Sequence, residues 1–278
     1  MKPPAAFLHS MNKRPSRALP LVLASLLLVL LTSKGAAATT TDAAIPAQAG
    51  ILDYTEPTLL TGTLYETGSD LKKALFTFRR TATRSNATVH ALIEYRSPGG
   101  ALAARERMVY EANKLVSCEL EELQTGAHGS LSASSSSAKT KLLFAYTPAK
   151  SSRTKTGSED APKEALVNDM IAPFIRARWD SLSRGSAVKF RYVALERAET
   201  VGFKLVKEAE TTWRNKPALR LKMEPTSLVI AALVDPLYFT VEKNGPHRVL
   251  EYVGRTTPKI ERNGKWKDLD AVTVYNVE

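Results

Sequence analysis

The residues of this chain that could do chemistry are few and scattered. His90, His128 and His247 lie far apart, and none forms a pair at metal-ligand spacing, so no zinc site is predicted. The single cysteine, Cys118, sits in the strand-like stretch Leu115-Val116-Ser117-Cys118-Glu119-Leu120 with no neighbouring base to make a thiolate. It reads as a small core filler, and one cysteine excludes an intramolecular disulfide. Glu119, Glu121 and Glu122 form the one acidic cluster. Glu119 and Glu121 share a strand face, where like charges point to solvent more readily than to an acid–base pair. Gly126-Ala127-His128-Gly129-Ser130 places a histidine beside a serine without making a nucleophile elbow. No phosphate loop, dinucleotide fingerprint or calcium loop is present. The sequon Asn86-Ala87-Thr88 acts only in a eukaryotic secretory pathway. No catalytic residue, metal or cofactor is expected, and the chain reads as a non-enzyme.

The elements that would carry a site are mostly strands. Ala74, Phe76 and Phe78 alternate with Leu75, Thr77 and Arg79; Val89, Ala91, Ile93 and Tyr95 repeat the pattern with His90 and Glu94 opposite. Ser97-Pro98-Gly99-Gly100 and Ala112-Asn113 are turn signals, and Asn244-Gly245 and Asn263-Gly264 mark hairpins. Val188, Phe190, Tyr192 and Ala194, then Val201, Phe203 and Leu205, then Leu219, Leu221 and Met223 continue the alternation. Ser130–Ser137 and Pro148–Gly157 are low in complexity and read as loops. One helix is predicted from Pro162 to Leu182, with Leu166, Met170, Phe174 and Trp179 on its apolar stripe. Short turns between consecutive strands give an antiparallel sheet with a helix on one face, an α+β class.

Four basic and no acidic residues in the first 18 positions precede the apolar run Leu19–Leu31 and the small-residue stretch Ser33–Ala38. This is the pattern of a secretory signal peptide cut after Ala38, a retained anchor being the alternative. Residues 39–56 read as a flexible leader and 57–278 as a single β-rich domain. Removing residues 1–38 lowers the net charge from +11 to about +6, so much of the basicity belongs to targeting. The remaining Lys and Arg are dispersed, densest at Lys72/Lys73, Arg79/Arg80 and Lys150–Lys155, and aromatics do not interleave with them as in a nucleic-acid groove. The expected product is a soluble, monomeric periplasmic protein.

Asp235-Pro236-Leu237-Tyr238-Phe239, the Asn-Gly turn and Arg248-Val249-Leu250-Glu251-Tyr252-Val253-Gly254-Arg255-Thr256 resemble the closing hairpin of an uncharacterised bacterial periplasmic family. That family shares the open half-barrel of the lipoprotein-localisation carriers (the LolA/LolB type). The resemblance spans residues 57–260 in element order, although no motif matches the carriers' lipid-handling loop. The alternating segments make about ten to twelve strands and one main helix; the resemblance implies that they form an open half-barrel, a curved antiparallel sheet wrapping the helix with an apolar cavity between them.

Two functions follow as expectations. One is a binding or carrier module for an apolar ligand such as a lipid or acyl chain. Its ligand-binding residues would be Phe76, Phe78, Ile93, Tyr95, Phe190, Tyr192, Leu221 and Met223 from the sheet and Met170, Phe174 and Trp179 from the helix. The other is an envelope structural or interaction protein that meets a protein partner or anionic polysaccharide through Lys72, Lys73, Arg79 and the Lys150–Lys155 loop.

Overall fold

The structure, a computed structural model, describes residues 53–135, 140–161, 165–232 and 234–277. The signal-like segment, most of the leader and Pro162 lie outside them.

The described strands form one 15-stranded sheet. β1 (Leu59–Glu66) lies in its middle. The chain then meanders outward through β2 (Ala74–Ser85), β3 (Thr88–Arg96), β4 (Leu102–Glu111), β5 (Lys114–Glu122), β6 (Ala127–Ser135), β7 (Thr140–Thr147) and β8 (Lys155–Ala161) to one edge. It re-enters at the opposite edge as β9 (Ala165–Leu166), the one parallel neighbour, beside β10 (Val188–Ala194). From there β11 (Glu199–Trp213), β12 (Lys216–Pro225), β13 (Leu237–Glu242), β14 (Val249–Arg262) and β15 (Lys265–Asn276) return to pair with β1.

Most of the turns are those the residues demand. Ala112-Asn113, Arg214-Asn215 and Asn263-Gly264 are two-residue connections with both φ angles positive, the geometry whose twist matches flanking strands. Alternation decides the inward face: Phe76, Phe78, Arg80 and Ala82 of β2 face in, opposite Tyr95, Ile93 and Ala91 of β3.

The expected ten to twelve strands around one main helix are not what forms. The additional strands come from segments that lack apolar alternation. Ser130–Ser135 belongs to β6 and Lys155–Gly157 to β8, both read from sequence as loops. Their backbones pair in register with β5 and β7, and that ladder does not require apolar side chains.

The helix is also much shorter than Pro162–Leu182. Its first part is β9 followed by a 3₁₀ turn, Asn168–Met170. α1 (Ile171–Ala177) carries Pro173 in its first turn, where the missing N–H costs nothing; further back, the ring would clash with a preceding helical carbonyl. At Arg178 the backbone leaves helical geometry (φ −112°, ψ 14°), and α2 (Trp179–Ser183) starts anew.

The sheet is open but rolled. β14 reaches across the inner face to β4 and β5, and β8 reaches β11. Gly157 permits the second approach: a Cβ there would lie 2.1 Å from the Ala198 carbonyl oxygen. Thr200 then donates from its backbone N–H (3.0 Å) and its hydroxyl (2.6 Å) to Glu159 of β8.

A cavity between the rolled sheet and the connecting segment

The inward registers of β2 to β7 place Arg80, Ile93, Glu106, Leu120, Gly129 and Tyr146 opposite one another in a row across the sheet. The connecting segment 167–173 and β10 lie over part of this row. Between them opens a cavity of about 390 Å³. Its apolar wall includes Leu60, Leu64, Phe78, Ile93, Leu120 and Tyr192.

Of the ligand-binding residues expected from the sequence, Phe78, Ile93, Tyr95 and Tyr192 line this cavity. Phe76, Met170, Leu221 and Met223 are buried in the packed core beside it. Phe174 and Phe190 pack on each other at 5.3 Å. Trp179 is stacked at 4.0 Å under His247, whose backbone has φ +54°. The helical stripe therefore fills one part of the interior and leaves the space near β3, β4 and β15 open.

Three polar groupings border that space. Arg80, one of the basic residues read as surface, is buried and pairs with Asp169 of the 3₁₀ turn, its Nη2 lying 2.9 Å from Oδ2. Tyr110 of β4 donates to the same oxygen at 2.9 Å. Burial opposes the Arg80 charge, but the hydrogen bonds and charge of Asp169 outweigh it, and the guanidinium is held more firmly protonated than usual.

Glu106 is the second. Tyr95 donates to its Oε1 at 3.2 Å, and Thr257 of β14 donates to the same atom. Burial raises its carboxyl above the ordinary carboxylate range; the Thr257 and Tyr95 hydrogen bonds pull it down, and the Asp169 charge pushes it up again.

The third grouping is at the rim. Lys259 of β14 reaches Glu196 at 2.6 Å, Asp268 at 2.9 Å and Glu122 at 3.4 Å. It is aimed inward by an irregularity in the β14–β15 ladder: Thr256 pairs with Leu269 and Lys259 with Asp268, so two extra residues are accommodated around Pro258. Gln124 secures the bulge by bonding both the N–H and the carbonyl of Lys259, each at 2.9 Å. Burial raises the Glu122 carboxyl, and Lys259 only partly offsets it.

The acidic cluster of the sequence is thus divided by strand alternation. Glu119 and Glu121 point outward onto Arg105 and Arg107, while Glu122 faces the cavity. Cys118 is buried, and burial pushes its thiol well above the usual value, away from the thiolate. Of the basic surface residues, Lys72 pairs with Asp70 and Lys73 with Glu66, so neither is a bare cation.

Glu106 and Arg80 were missed from the sequence, yet each carries a local signal. Glu106 occupies the inward phase of Ala104, Met108 and Tyr110, and Arg80 that of Phe76 and Phe78. A charged residue on the apolar phase of a strand must find a buried partner or border a space. Thr257 and Lys259 carry no such signal, because only the bulge turns them inward.

Among the described residues, no group of three or more His, Cys, Asp or Glu is placed to hold a metal ion, and no helix is long and apolar enough to cross a membrane. Comparison with family models, curated proteins and solved structures finds no significant match to this chain.

Proposed function

We propose that this is an exported, non-enzymatic binding or carrier protein for an apolar ligand such as a lipid or acyl chain, and that the cavity beside α1 is its site. The observation that carries this reading is the unfilled space itself. Its volume of about 390 Å³ lies within the range of small-molecule sites, and its wall exposes mostly apolar surface between charged residues that are largely paired with one another. Each ligand CH₂ buried there contributes about 0.8 kcal/mol, so affinity requires no reactive residue. The signal-like N-terminus and the resemblance to periplasmic carriers support the same reading.

A second observation favours ligand exchange at a membrane. α3 (Leu228–Ala231) raises Leu228 and Val229 into solvent at 88 % and 74 % exposure, adjacent apolar side chains on a single turn.

The test is native mass spectrometry of protein purified from membranes, with Leu120→Trp as the companion variant. A co-purifying lipid that is lost when the indole fills the cavity is the expected result. Absence of any bound species, or retention in the filled variant, overturns the assignment.

A further inference from the structure

The cations and carboxyls around the cavity are unequally matched. Six carboxyl-bearing residues and four cations line it, although the chain as a whole carries +11. Each lining cation already has an ion partner: Arg80 has Asp169, Lys259 has Glu122, Glu196 and Asp268, Arg255 has Asp268 and Asp270, and Arg197 has Glu199. Glu106, a buried carboxyl, is hydrogen-bonded by the Tyr95 and Thr257 hydroxyls and by the Asn168 side chain, and among the described residues no cation is paired with it.

Aromatic rings surround the same place. Phe78, Tyr95, Tyr192, Tyr252 and Tyr275 all line the cavity. Phe78 lies 5.4 Å from Tyr275 and 6.2 Å from Tyr95, a continuous wall. Ring faces carry negative potential, and a desolvated cation among several of them is held more strongly than an uncharged group of equal size.

Resting on the cavity reading above, we propose that the ligand is a cationic amphiphile. Its ammonium or quaternary ammonium end would sit between these rings and the Glu106 carboxylate, with its apolar body along the aliphatic wall. The cation supplies the ion partner that Glu106 lacks. A fatty carboxylate would instead bring a second negative charge beside Glu106 and Asp169.

The groups facing Glu106 are Tyr95 from β3, Cys118 from β5, Tyr192 from β10, Tyr275 from β15, Thr257 from β14, and Asn168 and the Arg80-paired Asp169 from the 3₁₀ turn. Burial pushes the tyrosines and the thiol upward, so they stay neutral where Glu106 titrates. A quaternary ammonium has no proton of its own. Its affinity therefore rises with pH as Glu106 ionises.

The experiment is calorimetric titration of the purified protein with dodecyltrimethylammonium, dodecanol and laurate, each below its aggregation concentration. The expected result is that the ammonium binds about tenfold or more tighter than the other two. Its pH slope should vanish in Glu106→Gln and persist in Glu122→Gln, the other carboxyl raised by burial at this cavity. Tyr192→Leu removes one ring without touching charge and should cut the preference for ammonium. Equal or better binding of dodecanol or laurate overturns the cation assignment and leaves the cavity reading standing. If none of the three binds, both fall.

Discussion

Thr257 donates its hydroxyl to Glu106 although 151 positions separate them in the chain. The bond joins β14 to β4 across the interior, between strands that are not neighbours in the sheet. A hydrogen bond to a buried acid that can ionise contributes about 1.5–3 kcal/mol. Thr257→Val keeps the shape and removes the donor, and should lower unfolding free energy by about that amount in urea titration. A change below about 0.5 kcal/mol would mean the two halves are not joined there.

The pH dependence of stability reports the same carboxyl. Glu106 is raised in the folded state above 4.5, so the folded protein holds its proton more tightly than the unfolded chain. Below the unfolded value both states are protonated and the group costs nothing. Stability is then lost as pH climbs through the interval up to the raised folded value, and above it the loss is constant. Glu106→Gln has no such loss. The stability of wild type relative to the variant should fall as pH rises above 4.5 through the raised folded value, measured by urea unfolding at each pH. A flat difference argues against a buried acid.

Asp169 anchors the connecting segment to the sheet through Arg80 and Tyr110. Asp169→Asn leaves the Arg80 charge buried with a poorer partner, at a cost of about 3 kcal/mol. Adding Arg80→Met should recover part of that loss, since an apolar side chain needs no partner. Denaturation midpoints of the two variants provide the comparison, and a double variant less stable than Asp169→Asn would contradict the pairing.

Gly157 is where β8 touches the β10–β11 turn. Gly157→Ala places a methyl against the Ala198 carbonyl oxygen, a backbone atom that cannot rotate away. The expected cost is about 1–3 kcal/mol, with faster amide exchange at Thr200, whose N–H bonds Glu159. Unchanged exchange at Thr200 would show that this edge is not closed as described.

Leu228 and Val229 should matter for membranes and not for folding. Leu228→Asp with Val229→Asp should change stability by less than about 0.5 kcal/mol, because neither side chain is buried. Co-sedimentation with lipid vesicles should drop in the same variant. Equal co-sedimentation removes the tip from the exchange step.

Strand alternation, turn residues and the inward phase are local, and the sequence alone determined them: Val89, Ala91, Ile93 and Tyr95 face in, and the Asn244-Gly245 and Asn263-Gly264 hairpins form where those residues stand. Pro173 carries a local limit on the helix, since a proline ring restricts the preceding turn, and the expected span Pro162–Leu182 ran past it. Tertiary structure decided the rest. Ser130–Ser135 and Lys155–Gly157 become strands because neighbouring backbones supply their hydrogen bonds, which side-chain pattern does not report. Which apolar residues fill the interior, as Phe174 and Phe190 do, and which border a space, as Phe78 and Tyr192 do, depends on where the short helix lies on the sheet. The meeting of Glu106 with Thr257, and of Lys259 with Glu122, depends on a roll and a bulge that bring together strands distant in sequence, and no local periodicity encodes that distance.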